Sequence, residues 1–205
     1  MTATPAAPLR QIMAALDRCG IPYAVGGSVA SSYHGSPRAT NDVDLLAEIL
    51  PAQAQRFAQE LGPDFYADPD MIRDALFNTR SFNVIHLKTT YKFDFFPVSG
   101  DPFARQQLAR RVAVHSDLLG EPLDFPIASA EDIILAKLAW FQKGGCVSAR
   151  QWNDVLGVVR IQGDRLDRAY LGEWAARLGV LELLDDALRQ GASPLSGGPR
   201  RPETP

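Results

Sequence analysis

Two aspartates that alternate with apolar residues are the side chains in this sequence best suited to metal chemistry. Asp42 and Asp44 flank Val43 in a segment with strand-like alternation, so both carboxylates project from one face of a strand. Paired carboxylates bind hard divalent cations through oxygen, and without a cation their repulsion raises the pKa of one of them. The pair predicts a site for Mg²⁺ or Mn²⁺, with a solvated edge strand as the alternative.

A third aspartate, Asp94, lies in another predicted strand and is flanked by four aromatic residues at 91, 93, 95 and 96. A carboxylate among aromatic rings is costly to bury without a partner, so it must face a cation, a hydrogen-bond donor or a cleft. We predict that Asp94 completes the metal site. The alternative partner is Lys92, which shares its face of the strand.

A glycine-rich turn precedes the aspartates, where residues 26–28 (Gly-Gly-Ser) join a short apolar strand to a helix. Glycines let a ligand approach the backbone closely, and amides at the start of a helix attract phosphate. The turn predicts a triphosphate site; a tight strand-to-helix turn without a ligand is the alternative. Arg38, in the following loop, either reaches phosphates with its guanidinium or braces Asp42 or Asp44.

The elements that position these residues follow from periodicity, caps and breakers. Helices are predicted over 9–16, 29–33, 51–61, 69–77, 101–111, 131–143, 149–161, 168–178 and 181–189, and strands over 23–25, 42–46, 81–87, 91–98, 112–115 and 123–127. Strands 81–87 and 91–98 are joined by a tight connection and are expected to form a hairpin. In the second of them, Phe93 and Phe95 share one face, opposite Asp94.

Taken together, the glycine turn at 26–28, the His-Gly pair at 34–35, Arg38, Thr40 and the sequence DVDL at 42–45 resemble a known family. They are similar to nucleotidyltransferases of the DNA polymerase beta-like superfamily, in the form found in AbiEii-type toxins and uncharacterised bacterial nucleotidyltransferase-like proteins. The resemblance implies an α+β fold: a small mixed β-sheet nucleotidyltransferase core flanked by helices, followed by a C-terminal helical region.

The resemblance extends into the helical half, where the S-E-D run at 129–132, Lys137, Arg150 and Asp154 are similar to a second conserved region of that branch. It implies that Lys137 faces the triphosphate and that Asp154 orients the acceptor or acts as a base. Lys137 on the solvent side of an ordinary amphipathic helix is the alternative. The predicted nucleotide-binding residues are Gly26, Gly27, Ser28, Arg38 and Lys137, and the predicted catalytic and metal-binding residues are Asp42, Asp44 and Asp94.

The resemblance implies transfer of a nucleoside monophosphate from an NTP to an acceptor hydroxyl. Two metals bridged by Asp42 and Asp44 would stabilise the attacking and leaving oxygens. A tRNA or another RNA is the acceptor that the toxin-like branch suggests, within a toxin–antitoxin system that includes a cognate antitoxin. The alternative function is a non-catalytic nucleotide-binding or antitoxin-like partner protein that keeps the fold.

Composition and pattern set the broad limits. The net charge of −3 argues against a general nucleic-acid binder, although a local basic patch would suffice for tRNA. The two cysteines match no disulfide or zinc pattern and no apolar run spans a membrane, so we expect a cytoplasmic protein without a membrane partner. Helical periodicity dominates after residue 128. We therefore predict a core over 1–128, a helical subdomain over 129–190 and a disordered tail over 191–205.

Overall fold

The computed structural model describes residues 4–192, so most of the predicted tail, residues 193–205, lies outside the described part of the chain. The helices are α1 (Ala6–Arg18), α2 (Gly27–His34), α3 (Ala54–Leu61), α4 (Pro69–Phe77), α5 (Pro102–Ala109), α6 (Ala130–Lys143), α7 (Ala149–Gln162), α8 (Arg168–Leu178) and α9 (Leu181–Ala192). The strands are β1 (Tyr23–Val25), β2 (Asp42–Ala47), β3 (Phe65–Tyr66), β4 (Phe82–His86), β5 (Lys92–Pro97), β6 (Val112–Ser116) and β7 (Leu123–Ile127). The predicted α+β fold class is confirmed.

The seven strands form one mixed sheet in the order β3-β4-β5-β2-β1-β7-β6. Strands β4 and β5 form the predicted antiparallel hairpin, and β1 pairs antiparallel with β2. Strand β2 runs parallel to β5, and this pairing sets Asp42 beside Lys92 and Asp44 beside Asp94. Parallel neighbours point their equivalent residues to the same face, so the central strands collect the charged residues on one side of the sheet.

The opposite face of the two central strands forms the core. Val43 and Leu45 of β2 and Phe93 and Phe95 of β5 are almost fully buried, as the alternation in the sequence predicts. Phe82 stacks on Phe95 with ring centroids 4.9 Å apart. Because these side chains fill the core, the residues between them cannot turn inward, and the aspartates keep the other face.

Helical residues complete the same hydrophobic core. Ile133 and Leu138 of α6, Val155 of α7 and Leu171 of α8 belong to the buried cluster that contains the sheet residues. Helices α6 and α7 pack on each other and both contact α2, which carries the glycine turn at its start. The helical region therefore lies directly against the candidate site. The division into domains at residue 128 stays a prediction.

Capping residues fix where the helices begin. Side chains of Asp68, Asp101, Ser129, Ser148 and Asp167 accept hydrogen bonds from backbone amides in the first turns of α4, α5, α6, α7 and α8. Such caps satisfy amides that have no partner within the helix. The α6 cap is the start that the sequence predicts at Ser129.

The α6 cap belongs to a buried network that ties α6 to α8. The side chain of Asp132 is fully buried and accepts hydrogen bonds from the Tyr170 hydroxyl (2.5 Å) and the Ser129 hydroxyl (2.8 Å). The Arg110 guanidinium stacks on the Tyr170 ring, and its Nε lies 3.5 Å from Asp132. Burial raises the pKa of Asp132, against these donors and the nearby cation.

Two local features differ from the predictions. The predicted helix over 51–61 begins with a 3₁₀ turn at Pro51–Gln53 before α3. The two-residue strand Phe65–Tyr66 was not predicted, because so short an edge strand has no periodicity and is defined only by its pairing with β4. In the described residues, no helix is both long enough and apolar enough to cross a membrane.

Candidate active site

Asp44 lies against the start of helix α2, and glycine makes that contact possible. Gly27 has a φ of +52°, and a Cβ added there would lie 1.6 Å from Oδ2 of Asp44. The backbone amide of Ser28 donates a hydrogen bond to the same carboxylate. The sequence predicts that a triphosphate lies close to Gly27. In the structure the Asp44 carboxylate lies there, because the amides at a helix N-terminus favour anions.

The charge environment of Asp44 indicates a place for a cation. Burial raises the pKa of Asp44, and the neighbouring carboxylates of Asp94 and Asp42 raise it further. Lys137 and the Ser28 amide oppose this rise. Carboxylates crowded in this way are stabilised by a cation that binds between them.

The ammonium group of Lys92 supplies part of the positive charge near these carboxylates. Nζ of Lys92 lies 2.9 Å from Oδ2 of Asp94 and 3.9 Å from Oδ1 of Asp42. The hydrogen bond to Asp94 raises the pKa of Lys92 despite partial desolvation, and Asp42 and Asp44 add to the effect. The ion pair that the sequence offered as the alternative for Asp94 is therefore present, with the ammonium between two of the three predicted metal ligands.

The donor set suits Mg²⁺ or Mn²⁺, which prefer carboxylate oxygens. Asp42, Asp44 and Asp94 project from one face, and an ammonium already lies at two of their carboxylates. Among residues 4–192, no group of three His, Cys, Asp or Glu side chains has the arrangement of a metal site. The three carboxylates fit such an ion chemically, and the Lys92 ammonium competes with it at Asp94 and Asp42.

A buried charge cluster links the glycine turn to the helical region. The Arg38 guanidinium binds Asp154 with two hydrogen bonds, Nε to Oδ1 at 2.8 Å and Nη2 to Oδ2 at 2.9 Å. Its Nη2 also donates to the Ser28 hydroxyl. Nζ of Lys137 donates to Oδ2 of Asp154 at 2.7 Å and to Oε1 of Gln151 at 3.1 Å. Residues from α2, α6, α7 and the loop before β2 thus meet in one cluster.

The cluster corrects two alternatives drawn from the sequence. Lys137 is 5% exposed, so the solvent side of an amphipathic helix is the wrong location for it. The sequence offered Asp42 or Asp44 as the carboxylate that Arg38 braces, but Arg38 hydrogen-bonds to Asp154. Its interaction with Asp44 is only electrostatic and acts over a longer distance. Although burial alone would raise it, the hydrogen bonds from Arg38 and Lys137 lower the pKa of Asp154. With both oxygens engaged and a lowered pKa, Asp154 is a weak proton acceptor.

Two cavities meet at Ser28, Asp44 and Gln151. The polar cavity, of about 500 Å³, is lined by Ser28, Arg38, Ala39, Thr40, Asn41, Asp42, Asp44, Arg150 and Gln151. The aromatic cavity, of about 520 Å³, includes Phe96, Phe103, Gln107, Lys137, Trp140 and Lys143 besides the glycine turn. The local sequence gave no signal for Gln107, Trp140 or Gln151, because tertiary packing alone brings their helices to the sheet.

Several solved structures are similar to this architecture. The antibiotic-resistance factor ANT(2'')-Ia matches with a TM-score of 0.52 and 15% identity, over 91% of this chain and 99% of that chain. An antigenic nucleotidyltransferase-like protein from Paracoccidioides brasiliensis matches with a TM-score of 0.50 and 17% identity, over 91% of this chain and 93% of that chain. No protein-family model and no curated protein matches the sequence. The chain has a nucleotidyltransferase-like fold.

Proposed function

We propose that this chain is a metal-dependent nucleotidyltransferase that transfers a nucleoside monophosphate from an NTP to an acceptor hydroxyl. The observation that carries the proposal is the position of Asp44. It lies against Gly27 at the start of a helix and beside Asp94 in the parallel strand pair. A phosphate-binding helix terminus and a pair of cation-binding carboxylates thus adjoin each other, as nucleotidyl transfer requires.

In the proposed reaction the acceptor oxygen forms a bond to the α-phosphorus, and the bond from that phosphorus to the bridging oxygen of pyrophosphate breaks. Pyrophosphate leaves with the bonding electrons, and the hydroxyl proton passes to Asp94 or to water. Mg²⁺ or Mn²⁺, held by Asp42, Asp44 and Asp94, would stabilise the negative charge on the attacking and leaving oxygens. Catalysis then depends mainly on positioning and electrostatics.

Other residues bind and orient the triphosphate in this proposal. The positive end of α2 attracts the triphosphate at Ser28, which lines both cavities, while the Gly26 and Ser28 amides are themselves bonded to Asp44. Arg38 and the exposed Arg150 line the polar cavity, where guanidinium groups bind phosphate oxygens. We assign Asp154 a positioning role, because it holds Arg38 and Lys137 beside Ser28 and has no free carboxylate oxygen for base catalysis.

For the acceptor, the resemblance to AbiEii-type toxins supports tRNA or another RNA, in a system with a cognate antitoxin. The fold it shares with an antibiotic-resistance factor supports a small-molecule acceptor as the second class. The net charge of −3 disfavours indiscriminate RNA binding, so an RNA acceptor would bind through a local basic surface.

A second candidate function is nucleotide binding without transfer. The ion pair between Lys92 and Asp94 favours it, because an internal ammonium at the acidic residues can substitute for a metal ion. In that case the fold would bind an NTP as a signal or as part of a partner complex. The two candidates differ in whether the acidic residues bind a divalent metal and whether label is transferred.

The test of transfer incubates the purified chain with Mg²⁺ or Mn²⁺, each α-labelled NTP, and either total RNA or a cell lysate. Label should appear in an acceptor, and Asp44→Asn should lower the rate at least about 100-fold, because several kcal/mol of charge stabilisation depend on the metal. Asp124→Asn, at an exposed strand position outside the site, is the matched control. Equal rates in Asp44→Asn and the control would contradict the metal assignment.

Metal binding is measured separately, by the loss of the free Mn²⁺ resonance signal on titration with protein. Lys92→Met should strengthen Mn²⁺ binding by up to about fivefold, since the partly exposed ion pair that competes with the metal is worth about 1 kcal/mol or less. Asp44→Asn should abolish binding. If neither the natural protein nor Lys92→Met binds Mn²⁺ but both bind NTP, the non-catalytic function is correct.

A further inference from the structure

The aromatic cavity has a wall suited to a flat ring. Phe96 and Trp140 meet edge to face, with ring centroids 6.1 Å apart. Trp140 is 54% exposed although it lines the cavity, and Nζ of Lys143 lies 5.3 Å from its ring centroid. An indole held at a cavity mouth offers a free face for stacking.

A buried amide faces the same space. Gln107 of α5 is 6% exposed and lines the cavity. Within the described range 4–192, its side chain makes no hydrogen bond, whereas the neighbouring site residue Gln151 accepts one from Lys137. The amide opens onto the cavity, where a ligand with an adjacent donor and acceptor can hydrogen-bond to both its oxygen and its nitrogen.

The geometry of the proposed reaction places pyrophosphate, acceptor and nucleoside on different sides of Asp44. In an in-line displacement at the α-phosphorus, pyrophosphate and the acceptor occupy opposite sides, and the nucleoside extends to a third side. The polar cavity, with Arg38 and Arg150, suits the pyrophosphate. The acceptor then approaches over Asp94, which lines neither cavity. The aromatic cavity is left for the nucleoside.

Resting on the proposed function, we propose that the aromatic cavity binds the base and sugar of the NTP, with the base stacked on Trp140 and its edge hydrogen-bonded to Gln107. The volume of about 520 Å³ lies within the usual range of small-ligand sites. Because an amide is both donor and acceptor, it can pair with an edge of any base. Gln107 therefore contributes to binding of the base but does not select among the four bases.

The test compares binding of NTPs with binding of inorganic tripolyphosphate, which lacks the nucleoside, by calorimetry in the presence of magnesium. Trp140→Ala should weaken NTP binding about tenfold or more, as loss of base stacking does. Gln107→Met should weaken it about three- to tenfold through the lost hydrogen bond. Tripolyphosphate binding should not change in either variant. Gln106→Met, on the same helix but outside the cavity, is the control.

Trp140→Phe should restore most of the NTP affinity, since a smaller ring still stacks. Unchanged NTP affinity in both Trp140→Ala and Gln107→Met would overturn the inference and leave the proposed function intact. If these variants raise only the KM for the acceptor, the cavity binds the acceptor, and the inference is likewise overturned while the proposed function stays intact. If the natural protein binds neither NTP nor tripolyphosphate, the proposed function itself fails.

Discussion

Replacing Asp154 with asparagine tests whether the buried charge cluster holds the helical region against the glycine turn. The Asp154 side chain is 7% exposed and receives hydrogen bonds from Arg38 at 2.8 and 2.9 Å and from Lys137 at 2.7 Å. Asparagine keeps the shape, but it removes the negative charge and turns one acceptor oxygen into a donor. At least one of the three hydrogen bonds then becomes a contact between two donors.

The loss in the free energy of unfolding depends on which of the two cations is left without a partner. Removing one member of a buried ion pair costs about 3–5 kcal/mol. Arg38 keeps some solvent contact and the Ser28 hydroxyl, whereas Lys137 is nearly buried and keeps only Gln151. We therefore expect Asp154→Asn to cost about 3 kcal/mol. For a chain of this length that lowers the melting temperature by about 6–12 °C.

The assay is urea and thermal unfolding of four proteins: the natural chain, Asp154→Asn, Lys137→Met and the double variant. The double variant should be more stable than the sum of the single effects by about 1 kcal/mol or more, because methionine removes the stranded ammonium. Glu173→Gln, which breaks an exposed helical pair with Arg177, is the control and should cost under about 1 kcal/mol. A cost in Asp154→Asn no larger than in this control would refute the reasoning.

Two further predictions concern the glycine turn and the buried carboxyl of α6. Gly27→Ala should destabilise the fold by more than Gly62→Ala, because both glycines have positive φ but only the Cβ at 27 meets Asp44; equal melting temperatures would contradict the contact. Asp132 has a folded pKa raised above the ordinary 3.8, so the folded state holds this proton to higher pH than the unfolded state. Stability should fall as pH rises from about 4 through the folded pKa, and Asp132→Asn should lose this dependence; a constant difference in melting temperature across pH would contradict it.

Local pattern was sufficient for all the helices, for every strand except β3 and for the faces of the central strands. The alternation around Asp44 and Asp94 predicts that both carboxylates leave the core, and the buried Phe93 and Phe95 agree. The glycine turn was predictable in the same way, since residues 26–28 are adjacent in sequence. Such features depend on neighbours a few residues apart, and backbone geometry fixes them before any packing.

The partners of the site residues were not predictable by the same means. Arg38 and Asp154 are 116 positions apart, and they meet because α7 packs on α2. The parallel register of β2 and β5 places Lys92 beside Asp42 as well as near Asp94. A parallel pair leaves no hairpin signal, since its strands are joined through other elements.

By itself, the sequence determined the order of the helices and of every strand except β3, the acidic face of the sheet and the glycine at 27. Only the tertiary structure decided that this glycine lies against Asp44, that Lys137 is buried with Asp154, and that Gln107 faces a cavity. The physical reason is range: periodicity and caps act over a few residues. Ion pairs and cavities depend on how distant elements pack around one core.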